Sequence, residues 1–281
     1  MDRVRATVLI GLLALDAGRA SATPSGAAPD ELEGDAAWAR RAQGFAAAGR
    51  IDGRLASEAI AAYERAWAAT GPSPRLAGML VDALWFRGHF VLADGPEAGP
   101  LFDRAVEVAE AAVAKVATAP ESTRPEEAEA HFWAAIAWGV WGLHHGTFAS
   151  ALRGVAGRIR DHAERAALLD EGYAAGGPPR LLGRLHTVAP HVPLFTGWID
   201  PVYGIRRLER AVAISTADPR NELFLAEALL RHAPERRAEA HALLARVAAR
   251  APAGDDRIEQ DETIAAARQH LVAAPQGAPP P

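Results

Sequence analysis

From near Leu32 almost to its end, the chain places apolar residues at the three- and four-residue spacings of amphipathic helices. Prolines and glycines punctuate that pattern and divide it into segments that pair as antiparallel neighbours. The predicted pairs are 35–49 with 54–70, 75–90 with 100–117, 125–145 with 151–173, 178–188 with 201–215, and 221–232 with 234–251. A final amphipathic helix over 257–272 is expected to cap the stack, as the end of a repeat array requires.

Within these segments one arrangement recurs: a small residue, then a bulky residue or alanine four positions on, then alanine three further. It occurs as Ala59, Tyr63 and Ala66, as Ala105, Ala109 and Ala112, as Gly204, Leu208 and Ala211, and as Ala238, Ala242 and Ala245. Small residues at these offsets let the second helix of a pair approach the first closely. Gly71-Pro72, Asp218-Pro219 and Pro252 then end units. The spacing resembles a degenerate tetratricopeptide repeat, so the expected fold class is all-α, an α-solenoid of antiparallel helix pairs with a C-terminal capping helix.

One segment departs from amphipathicity. Between His131 and Gly146 no residue carries a formal charge apart from histidine, and three of the chain's 7 tryptophans fall there. At about 100° per residue, Trp133, Ile136, Ala137, Val140 and His144 share a face, Trp138, Trp141 and His145 share the next, and Ala135, Gly139 and Gly142 lie opposite. A helix apolar all round must be enclosed by other helices or must border an apolar cavity. Trp133, Trp138, Trp141 and His145 are therefore candidate ligand-lining residues, the alternative being that the indoles fill core.

Composition narrows the function. Alanine, leucine, arginine and glutamate dominate, which favours helix over sheet. The net charge of −5, with both signs interspersed, lacks the basic face of a nucleic-acid binder. There are 0 cysteines, which removes disulfides, thiolate catalysis and thiolate metal sites. His144 and His145 project about 100° apart and cannot share one metal in a regular helix, and no metal site is expected. No nucleophile elbow, phosphate loop or zinc-protease motif is present, so neither catalysis nor a cofactor is expected.

The amino terminus has the layout of an export signal. Arg3 and Arg5 precede an apolar run over 6–15, and Ala20-Ser21-Ala22 supplies a small-x-small cleavage pattern. The expected organisation is a signal peptide over 1–22, a flexible linker over 23–31, the repeat domain over 32–252, the capping helix over 253–273 and a disordered tail over 274–281. A periplasmic location follows, without the cysteine that a lipid anchor would need.

Arg180, Arg184 and His186, with Arg206 and Arg207, bracket an irregular stretch over 189–201 that carries Phe195 and Trp198. Arg180, Arg184, His186, Trp198 and Arg206 are candidate contacts for an anionic group or a partner protein. Pairing of these arginines with Glu209 and other acids is the competing expectation.

The order of motifs resembles the TatT family, the tetratricopeptide-type component associated with tripartite ATP-independent periplasmic (TRAP) transporters. The motifs are His131-Phe132-Trp133-Ala134-Ala135-x-Ala137-Trp138-Gly139, then Gly177-Pro178-x-Arg180-Leu181-Leu182-Gly183-Arg184-Leu185-His186-x3-Pro190. Gly197-x2-Asp200-x3-Gly204-x3-Leu208-Glu209-Arg210-Ala211 and Asn221 follow. The resemblance covers roughly 32–252. It implies a non-enzymatic periplasmic protein that self-associates as a trimer, scaffolds a solute-binding protein and handles a small hydrophobic ligand. It also implies that the tryptophan helix lies nearest the ligand and that Arg180 and Arg184 lie near the partner. The alternative is a general repeat adaptor that holds peptide segments of its partners in a concave groove.

Overall fold

Short polar side chains followed by proline start several of the helices. Ser73, Thr123, Asp200 and Asp218 each accept a hydrogen bond from first-turn backbone N–H groups, with proline in the opening turn. At Thr123 the cap is reciprocal, since Glu126 accepts from the Thr123 backbone in return. The computed structural model describes residues 27–43, 45, 51–119, 121–191 and 196–273. The expected signal peptide, much of the linker, the tail and Phe195 lie outside these residues.

The described residues are all-α. In chain order the helices are α1 (Pro29–Trp38), α2 (Arg54–Thr70), α3 (Pro74–Phe86), α4 (Gly99–Thr118), α5 (Arg124–Leu152) and α6 (Val155–Leu169). They continue with α7 (Tyr173–Val188), α8 (Pro201–Ile214), α9 (Pro219–His232), α10 (Arg237–Ala248) and α11 (Arg257–Ala273). Each helix packs on the next, and α3, α5, α7, α9 and α11 also touch in that order. This is a helical-repeat solenoid whose odd-numbered helices form the inner layer. Among the described residues, no helix is long and apolar enough to cross a membrane.

The small-residue pattern marks the tight crossings in three units of four. Ala59, Tyr63, Ala66, Ala105, Ala109, Ala112, Gly204, Leu208 and Ala211 are all buried. At the α7–α8 crossing a Cβ on Gly183 would lie 2.8 Å from the Gly204 carbonyl oxygen, and one on Gly204 would lie 3.0 Å from that of Gly183. The fourth unit differs. Ala238, Ala242 and Ala245 are exposed, and α10 buries Ala240, Leu243, Leu244 and Val247 instead, because its bulkier aliphatics take the inner face.

The last helix does more than cap. The first turns of α11 reach back to the beginning of the chain: Arg41 donates to Glu259 Oε1 from Nε at 3.0 Å and from Nη2 at 2.7 Å. Those side chains are 5% and 2% exposed. Arg257 donates to the Ala42 carbonyl, and Ile258 joins the same apolar core as Trp38, Leu80 and Phe86. The stack therefore closes, last element onto first. A short π-helical turn after α3 (Arg87–Val91) aims His89 at the same seam, where it meets Asp94 through Nδ1 and Glu262 through Nε2, both at 2.8 Å.

Burial opposes the charge on His89, but hydrogen bonds to Asp94 and Glu262 outweigh it and raise its pKa from 6.5 to about 9. A base strengthened by folding stabilises fully below pH 6.5 and loses that contribution as pH rises through about 9. Urea unfolding midpoints are expected to fall across that window by on the order of 3 kcal/mol of stability. In His89→Gln the same pH range should leave stability nearly flat.

Candidate functional site

Residues 132–141 of α5 are buried without exception, so the all-apolar segment is enclosed as its composition requires. Trp133 lies over Gly78 of α3, where a Cβ would sit 2.4 Å from its Nε1. Its N–H donates to the Tyr173 hydroxyl at 3.3 Å, which donates on to Glu129 at 3.1 Å.

Trp138 and Trp141 point their N–H groups at α4, to Glu110 at 2.6 Å and Asp103 at 2.7 Å. The Arg158 guanidinium lies 4.6 Å from the Trp138 ring centre and that of Arg153 4.7 Å from Trp141. His145 stacks on Trp141 with ring centres 4.1 Å apart. The indoles thus join α4 to α6 and to the α5–α6 turn through hydrogen bonds at their edges and cations on their faces. The cavity beside this helix, about 140 Å³, opens on its other face and is walled by Trp85, Asp94, Phe102, Val140, Leu143 and His144.

A polar relay crosses the same helices. His162 of α6 stands 3.4 Å from Glu110 through Nε2 and 2.9 Å from His131 Nδ1 through its own Nδ1. The His162 hydrogen bond, assisted by Trp138 against the effect of burial, lowers the Glu110 pKa to about 2. Burial, then the neighbouring His162, lowers His131 to about 4. A base weakened by folding costs stability when protonated, so stability should fall as pH drops from 6.5 towards 4. Denaturant midpoints of wild type and His131→Phe, compared across that range, check this: the acid slope should be shallower in the variant.

The second cluster lies in α7 and α9. Arg180, Arg184 and His186, expected at the surface, are 3%, 6% and 6% exposed. Arg180 pairs with Asp218 at 2.7 Å and donates to Asn221 Oδ1 at 2.9 Å. Asp218 also holds Arg220 through Nε and Nη2, at 2.8 and 2.7 Å. Burial would raise the Asp218 pKa, yet Arg180 and Arg220 together keep it below its ordinary value.

Arg184 pairs with Glu227 at 2.7 Å and lies 4.6 Å from the Phe224 ring centre. His186 Nδ1 accepts from the Asp200 backbone N–H at 3.0 Å, and burial lowers its pKa, in keeping with a neutral ring. Trp198 packs against His186 and under Arg160, and Arg206 alone of the five is exposed. The predicted partner cluster is thus mostly an internal ion-pair layer between two apolar cores, one built from Ala37 to Leu182 with Ile258 of α11, the other from Ile205 to Ala267.

Comparison with protein-family models and with curated proteins gives no match for this chain.

Sequence reasoning missed Asp218, Glu227 and Glu259 as the partners of Arg180, Arg184 and Arg41. Asp218-Pro219, read in the sequence as the end of a unit, also starts the next helix, where Asp218 caps α9 while bonding two guanidinium groups. Glu227 and Glu259 carry no local signal, since their partners lie 43 and 218 residues away. Asn221 shows its role only in three dimensions, where its amide donates to the carbonyls of Ala175, Ala211 and Ser215 and ties α7, α8 and α9 together.

Proposed function

We propose that this protein is a non-enzymatic, periplasmic helical-repeat component of a TRAP-type solute-uptake system, one that scaffolds a solute-binding protein and handles a small hydrophobic organic ligand. Its likeness to the TatT family motivates the reading, and so does a rigid frame bearing exposed apolar side chains at a fixed place. The observation that carries it is the end of α5. Gly146, at φ 83°, breaks the helix, and the turns beyond it present Phe148 and Leu152, four residues apart, 79% and 74% exposed. Large apolar side chains held outward on a helix suit contact with a protein partner. A trimer of this chain is part of the same proposal.

The adaptor reading fares less well on the packing. An extended peptide needs an open concave face, whereas the inner helix α3 buries all but one of its residues, α9 buries most of its own, and α11 closes the ends together. Site-specific photocrosslinking from position 148 in intact cells tests the proposal. Capture of a periplasmic solute-binding protein, lost in Phe148→Asp, is expected. Retention in the cytoplasm, or crosslinks confined to unrelated peptides, would count against it.

A further inference from the structure

A cavity beside the buried ion-pair layer lies between the C-terminal ends of α7 and α9 and the last turns of α11. It measures about 310 Å³, within the lower range of small-molecule sites. Arg184 lines it from the inside, with its side chain 8% exposed, and Arg231 stands exposed at its mouth. His270 of α11 lines the opposite side. One carboxylate answers these three groups: Glu227 accepts from Arg184 through Oε2 at 2.7 Å and meets His270 through Oε1 at 2.8 Å, so both its oxygens are engaged.

The positive charge is in excess. Among the described residues Arg231 has no ion-pair partner, its Nη1 donating to the Thr187 carbonyl at 3.4 Å. The buried Arg184 Nε has no hydrogen-bond partner there either. Burial, with a smaller contribution from the Arg231 charge, outweighs the pull of Glu227 and lowers the Arg184 pKa to about 10, so the two guanidinium groups feel one another across the cavity. The rest of the wall includes Val188, Ala228 and Leu230.

We propose that this cavity binds a small organic acid, its carboxylate between Arg231 and Arg184 and its short aliphatic chain against Val188 and Leu230. A carboxylate supplies acceptors for planar guanidinium donors and relieves their repulsion. The apolar wall favours a carbon chain over a bare anion. This deepens the ligand-handling part of the function proposed above by naming the ligand's chemistry. Its test needs no partner protein, so the two can fail separately.

The experiment is calorimetric titration of the full chain with acetate, butyrate and hexanoate, and with 1-butanol and inorganic phosphate as comparators. Binding that tightens from acetate to butyrate, with phosphate and butanol weak, is expected. Arg231→Gln should weaken butyrate about tenfold or more with an unchanged Tm, because Arg231 serves no ion pair among the described residues. Leu230→Ser should erase the advantage of butyrate over acetate. Absence of binding by any carboxylate, phosphate binding as well as butyrate, or unaltered affinity in a folded Arg231→Gln variant would overturn the proposal.

Discussion

Asp218→Asn is expected to cost about 3–5 kcal/mol, enough to lower Tm by roughly 10 °C. The substitution keeps the shape of the side chain and removes one charge. That single charge is shared by two guanidinium groups, Arg180 and Arg220, in a layer where all three side chains are 3–5% exposed. Coulomb attraction between buried groups roughly offsets the cost of removing them from water, so an intact cluster adds little to stability. An unbalanced one is expensive, because the arginines cannot shed their protons as a lysine would. A neutral, packed replacement of the whole cluster, Arg180→Met with Asp218→Leu and Arg220→Met, should therefore be less damaging than Asp218→Asn alone. Chemical denaturation of the two variants side by side checks both the sign and the order.

Trp133→Ala should be the costliest single truncation in the apolar half, by about 3–5 kcal/mol. Its side chain is 1% exposed and fills the α3–α5 contact that Gly78 leaves open. It also anchors Tyr173, so truncation takes away a hydrogen-bond donor as well as volume. The same geometry predicts a coupling. Gly78→Val should destabilise wild type, because its Cβ would meet the indole at 2.4 Å. In Trp133→Ala the same methyl groups would enter the space left by the ring, so the second substitution should cost much less or partly rescue. Urea midpoints for the four proteins measure that non-additivity.

The helix pairs were legible because the features that build them are local. Ala59, Tyr63 and Ala66 lie within one helix, and Asp200-Pro201 and Asp218-Pro219 mark helix starts without reference to anything distant. Where two cues competed, the weaker local one misled: Ala238, Ala242 and Ala245 match the spacing, but Leu243, Leu244 and Val247 gain more from burial. The arginines of α7 looked external because charge is usually external. What makes them internal is acid on another helix, and neither the Arg184–Glu227 separation nor the Arg41–Glu259 separation leaves a trace in spacing. Enclosure of the tryptophan helix was readable from its composition. The polar partners of its indoles, Glu110 and Asp103 on α4, were not, since each sits among exposed acids that look alike in sequence.

The closing of the stack by α11 onto the first helices is most directly tested by a spin-label distance between its two ends. The chain has no native cysteine, so labels at Arg40→Cys and Asp255→Cys, both exposed, report on that seam alone. A single narrow population at short distance is expected, broadening in Arg41→Ala with Glu259→Ala, where the buried pair is gone. A long, broad distribution in the unaltered protein would contradict the closed stack.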